Sequence, residues 1–131
     1  MYIPLILAIV TTTLLSACTK LGPALSAVEY DRICKGSLSI LFSTPIDDIK
    51  VARREGDVVY LTYISKSDGT VWRNKCRIEA TAIIWGSEDG RWRTDSRDEK
   101  LSFMLDRDAR TFTVRQSFSD GSGDQKTFSL E

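Results

Sequence analysis

Three groups of side chains in this 131-residue chain have the types and spacing to do chemistry. Arg73, Lys75 and Arg77 recur at every second position, which on an extended strand places three cations on one face. If the chain turns back with Ser65 opposite Thr70, then Thr62 falls opposite Arg73 and Tyr60 opposite Lys75, adding an aromatic to the patch. Such a comb would grip an acidic loop, a phosphate or a glycan carboxylate. The competing reading is a solvated face neutralised by neighbouring Asp and Glu. The second group is Trp85-Gly86-Ser87-Glu88-Asp89-Gly90-Arg91-Trp92-Arg93, a hairpin with a tryptophan near each side of its turn. Exposed, Trp85, Trp92 and Arg93 would form a recognition tip, because Trp and Arg dominate binding hot spots and pair cation to ring. Buried, the tryptophans are core at the end of a sheet, and at least one of the two is expected there. The third group is the acidic turns. Asp120-Gly121-Ser122-Gly123-Asp124 has a loose likeness to a calcium loop but lacks the full ligand spacing and the closing glutamate, so no metal is expected. Asp47-Asp48 reads as the start of a turn after Thr44-Pro45.

The residues that are missing narrow the chemistry further. There is no histidine, which removes Ser-His-Asp and Cys-His nucleophiles, the commonest general base, and His-ligated zinc or haem. Catalysis would then need Ser-Lys, paired acids or a metal, and none of these has a motif here. The 18 basic side chains balance the 18 acidic ones, so a broad grip on nucleic acid is not expected. These observations favour a binding module without cofactor over an enzyme.

All charged side chains lie beyond residue 17. Ile3 to Leu15 is an apolar run, interrupted by Pro4 and three threonines, too short for a spanning helix and suited to a secretory h-region. Leu15-Ser16-Ala17-Cys18 follows it and resembles the lipobox of bacterial lipoproteins. The resemblance implies cleavage before Cys18, a diacylglycerol thioether on its thiol and an acylated new N-terminus. Residues 1–17 would be the signal peptide, with only the amino terminus in place of the usual n-region Lys or Arg. Residues 18–25 would be a lipidated tether, and 26–131 a single domain. Two or three acyl chains hold a protein on a membrane far better than one. Thr19, a non-aspartate residue after the cysteine, implies sorting to the outer membrane, on its periplasmic leaflet.

The remaining cysteines, Cys34 and Cys76, read as one disulfide of an exported domain, worth roughly 4 kcal/mol for the loop they close. Ser26-Ala27-Val28-Glu29 has capping-box spacing, so a helix should start near Ala27. Its apolar positions are Tyr30, Ile33, Cys34, Leu38, Leu41 and Phe42. Gly36 weakens it, and Pro45 stops it at Ser43 or Thr44. Beyond Pro45 the period falls to two, in runs 49–54, 58–65, 70–78, 81–86, 91–95, 100–105, 110–118 and 125–130, separated by Asp/Gly turns. Short sequential connections demand antiparallel pairing. Trp72, Asn74, Cys76 and Ile78 should face inward, as should Leu101, Phe103, Leu105, Phe112, Val114, Phe118, Phe128 and Leu130. The expected fold is α+β: one N-terminal helix packed on an antiparallel meander sheet or partial barrel, with one disulfide.

The stretch from Ile33-Cys34-Lys35 to Gly90-Arg91-Trp92-Arg93 resembles small uncharacterised bacterial and phage-borne proteins, a resemblance that carries no activity. The sequence therefore points to a lipid-anchored, periplasm-facing binding module whose partner is another envelope protein or a cell-wall component. The alternative is an inhibitor of a cell-wall hydrolase, in the manner of membrane-bound lysozyme inhibitors, or a phage superinfection-exclusion lipoprotein.

Overall fold

The computed structural model describes residues 22–131. The signal peptide, the lipobox and Cys18 lie outside the described residues. One helix, α1 (Ala27–Phe42), precedes a single turn of 3-10 helix at Ile46–Asp48 and seven strands. The strands are β1 (Lys50–Glu55), β2 (Val58–Ile64), β3 (Val71–Glu79), β4 (Ala82–Ser87), β5 (Lys100–Asp106), β6 (Thr111–Ser117) and β7 (Gly123–Ser129). They form one antiparallel sheet in sequence order, and it is open, because β1 and β7 do not pair.

α1 begins as its caps require. The Ser26 hydroxyl accepts from the Glu29 amide at 3.1 Å, and the Glu29 carboxylate accepts from the Ser26 amide at 2.9 Å. The helix ends at Phe42, where Ser43 adopts φ 52° ahead of Pro45. Its inner face buries Ile33, Cys34 and Leu38 against Val59, Leu61, Ile83, Phe103, Phe112 and Val114 of the sheet. Cys34 is bonded to Cys76 of β3, so the helix is tied covalently to the sheet. The Tyr30 hydroxyl fastens it again, accepting from the Ile78 amide at 2.8 Å and donating to the Asp57 carbonyl.

Where β turns are tight, residue choice follows backbone geometry: Gly56 (φ 60°) and Gly69 (φ 72°) hold left-handed positions in the β1–β2 and β2–β3 turns. The β2–β3 register is the expected one, with Thr62 opposite Arg73 and Tyr60 opposite Lys75. Three expectations are corrected. Residues 91–95 are not a strand; β4 joins β5 through an irregular loop, residues 88–99, which keeps one backbone bond to β4, from the Arg93 amide to the Trp85 carbonyl, while the Arg91 and Arg93 side chains turn to Asp98 and Glu99 at its far end. Trp72 is half exposed (50%) although its strand faces inward at that position, because α1 ends before covering it. Phe118 is exposed, since it lies past the end of β6 in the turn to β7. Among residues 22–25, Leu25 packs on the core, and Arg107 binds the Ala24 carbonyl. No helix among the described residues is long and apolar enough to cross a membrane.

Candidate functional site

Alternation along β2 and β3 turns Tyr60, Thr62, Arg73, Lys75 and Arg77 to the face of the sheet opposite α1. The basic comb is therefore one contiguous row. Most of it is occupied, and its occupant is the loop 88–99. The Lys75 ammonium donates to the Gly90 carbonyl at 2.7 Å and lies 4.6 Å from the centre of the Trp92 ring. Arg77 stands 4.2 Å from the same ring and pairs with Glu79 at 3.1 Å. On the neighbouring strand Arg53 stacks on Tyr60 at 3.8 Å and binds Glu88, at the loop's start, at 2.7 Å. Of the comb only Arg77 makes an ion pair among the described residues.

The loop can lie down here because position 86 is glycine. A Cβ at Gly86 would sit 2.5 Å from the Arg91 carbonyl oxygen, too close for any side chain. The loop's other side is clamped by two acids. Asp98, 6% exposed, accepts from both guanidinium nitrogens of Arg91 at 2.7 and 2.9 Å and from the Asp95 amide at 3.0 Å. Those bonds, led by Arg91, hold its carboxyl well below the ordinary range. Glu99 takes a two-pronged pair from Arg93 at 3.0 and 3.1 Å and the Trp85 indole N–H at 3.0 Å. Burial pushes the Glu99 carboxyl up, but its hydrogen bonds and Arg93 bring the balance below normal. Bidentate Arg–carboxylate pairs fix orientation as well as energy.

The sequence-named residues thus divide. Arg73, Lys75, Arg77, Tyr60 and Trp92 come together on the open face. Trp85 is core, 8% exposed, its ring edge-on to Phe42 at 5.3 Å, and so does not belong to the surface. Arg93 is a clamp, half-buried beneath the loop, with its guanidinium 5.0 Å from the Trp85 ring. Sequence reasoning missed Asp98 and Glu99, which organise the loop. Their signal was present in the pattern, two arginines and two acids a few residues apart with no apolar alternation between them. Among the described residues no cluster of three or more His, Cys, Asp or Glu is placed to hold a metal.

The chain matches no family model, no curated protein and no solved structure.

Proposed function

We propose that this chain is a lipid-anchored binding module of the bacterial envelope, acylated at Cys18 and facing the periplasm from the outer membrane. Its contact surface is the loop 88–99 together with the open-face residues Arg73, Lys75, Arg77 and Tyr60. The observation that carries this reading is where the loop lies. In a meander, successive turns alternate between the two ends of the sheet. Gly22, where the described chain begins, lies against Ala80 of the β3–β4 turn, so the N-terminus enters at that end. The β4–β5 loop belongs to the opposite end. An anchor at Cys18 therefore leaves the loop pointing away from the membrane.

The loop is also held more tightly than a passive connection requires, and rigid loops on a firm scaffold are where binding residues concentrate. Its crest displays Arg97, whose side chain is 89% exposed. A photo-crosslinker at position 97, in full-length chain in intact envelopes, should give one discrete adduct that is lost in Trp92→Ala. Equal adducts from a probe in the 107–110 turn, at the other end, would reduce the loop to ordinary surface. Palmitate labelling should vanish in Cys18→Ser, and Thr19→Asp should shift the protein to the inner membrane.

A second reading, inhibition of a cell-wall hydrolase, is favoured by the same exposed guanidinium. Glycosidases work with paired carboxylates, and Arg pairs with carboxylates well. Adding the purified chain to lysozyme and following lysis of a cell-wall suspension tests it directly. Undiminished lysis excludes this reading for that enzyme.

A further inference from the structure

The open sheet has two edges, and they are built differently. β1 is broken by a bulge at Ala52, between Val51 and Arg53, and its Arg53 and Arg54 side chains are committed to Glu55, Glu88 and Asp31. Bulges and charges of this kind discourage a further strand. β7 contains no proline and pairs with β6 without a break from Gly123 to Ser129.

The ladder's alternation determines what the outer side of β7 offers. The Phe118 amide donates to the Ser122 carbonyl at one end and the Leu130 amide to the Arg110 carbonyl at the other, so the even-numbered residues of β7 bond to β6. Gly123, Gln125 and Thr127 turn their N–H and C=O groups outward. Among the described residues only the Gln125 amide has a partner there, the adjacent Asp124 carboxylate at 2.8 Å. The run ends at Ser129, whose carbonyl accepts from Arg32 at 2.9 Å. Residues 123–127 are all exposed, and a hollow of about 390 Å³ lies between this edge and the end of α1, with Ile40 and Pro45 as its apolar wall.

The side chains on the inner side choose among strands. Asp124 and Lys126 share the face of Phe128, whose ring lies 5.2 Å from the Lys126 ammonium. Neither Asp124 nor Lys126 forms an ion pair among the described residues. Both spend their backbone bonds on β6, so a residue opposite either one would form the closer, non-hydrogen-bonded kind of antiparallel pair. A cation opposite Lys126 or an anion opposite Asp124 is repelled. An antiparallel strand that reads acidic, any residue, basic from its N-terminus matches both, and the stems of its charged residues have Ile40 and Pro45 to lie on.

β7 itself reads Asp124-Gln125-Lys126, so a second copy would match in charge. Two β7 strands paired antiparallel, however, send their N-termini to opposite ends of the joined sheet, which acylation of both chains in one bilayer forbids. That exclusion rests on the anchor proposed above, whereas the pairing rule does not. We propose that the β7 edge receives an extended segment of a partner protein, antiparallel, with an acidic residue opposite Lys126 and a basic residue opposite Asp124. Main-chain bonds at Gly123, Gln125 and Thr127 hold the segment, and the two charge pairs select it.

Full-length chain in detergent micelles, labelled with nitrogen-15, is titrated with two capped seven-residue threonine peptides, one with Glu third and Lys fifth, the other with those two exchanged. The first should shift the Gly123 and Thr127 amide signals saturably, with a Kd of about 1 mM or tighter, and the second should bind at least roughly tenfold more weakly. Asp124→Lys combined with Lys126→Asp, both at exposed positions, should invert that preference while the β2 and β3 amides keep their places. The proposal is overturned by no saturable shift up to roughly 10 mM, by equal binding of the two peptides, or by a preference unchanged in the double exchange. The chain alone should sediment as a monomer. A dimer broken by Lys126→Asp and restored by the double exchange would overturn the partner protein in favour of a second copy.

Discussion

Gly36 of α1 lies flat against the ring of Phe112 on β6, with no space for a side chain between them. A Cβ at position 36 would stand 2.6 Å from that ring and 3.3 Å from the ring of Phe128. The two rings are themselves stacked, 5.3 Å between centres, so neither can yield without moving the other. A glycine that weakens the isolated helix is thus what lets the helix reach the sheet.

Gly36→Ala should therefore destabilise the domain by about 1–3 kcal/mol through overpacking, despite alanine's better helix propensity. Urea unfolding followed by circular dichroism measures it. A neutral or stabilising substitution would mean that the helix rides higher over β6 than described.

The disulfide joins α1 to the middle of the sheet across a sequence separation of 42. Cys34→Ala with Cys76→Ala should cost about 2–5 kcal/mol. The double replacement avoids a lone reactive thiol, and a melting curve with and without reductant supplies the comparison. Reductant should lower the wild-type melting temperature and leave the double variant unchanged.

Arg107 holds the Glu29 carboxyl at about 2, against an ordinary value of 4.5. A depressed carboxylate contributes stability that is fully present above its unfolded pKa and is lost as pH falls through the folded one. In Arg107→Ala the carboxyl returns toward 4.5, so the variant's deficit should be full near neutrality and shrink as pH drops from about 4.5 toward 2. A remainder that does not titrate is expected from the lost bond to the Ala24 carbonyl. A deficit independent of pH across that window would remove Glu29 as its source.

Trp92 is held by Lys75 and Arg77. Trp92→Ala should cost the loop about 1 kcal/mol of local opening free energy, since partly exposed cation–π pairs are worth that order. Hydrogen exchange of the Arg93 and Glu88 amides, which bond to the Trp85 and Arg73 carbonyls, should then quicken roughly fivefold while core amides keep their rates. Uniform acceleration would point to global destabilisation instead.

Much of the scaffold is local information. The capping box at Ser26 and Glu29, the stop before Pro45, the Asp/Gly turns and the period-two runs each depend on neighbours a few residues away. That is why the helix bounds, the antiparallel order and the β2–β3 register are legible from the chain alone. The two cysteines predicted their own pairing because no third one competes for them among residues 26–131. The run 91–95 misled because alternation of Arg and Trp imitates a strand, while the deciding partners, Asp98 and Glu99, act through ion pairs that periodicity does not register.

What the sequence determined by itself is the set of elements, their order and which side of each strand carries charge. Only the tertiary structure decided what those charges meet. Trp85 and Trp92 have similar local surroundings in the chain, yet one lies in the core against Phe42 and the other lies over two cations on the open face. Trp72 reads as a core residue and is half exposed, because its environment depends on where α1 stops above it. A side chain's face follows from the two-residue repeat of its own strand. Its burial depends on what another element, distant in sequence, places over that face.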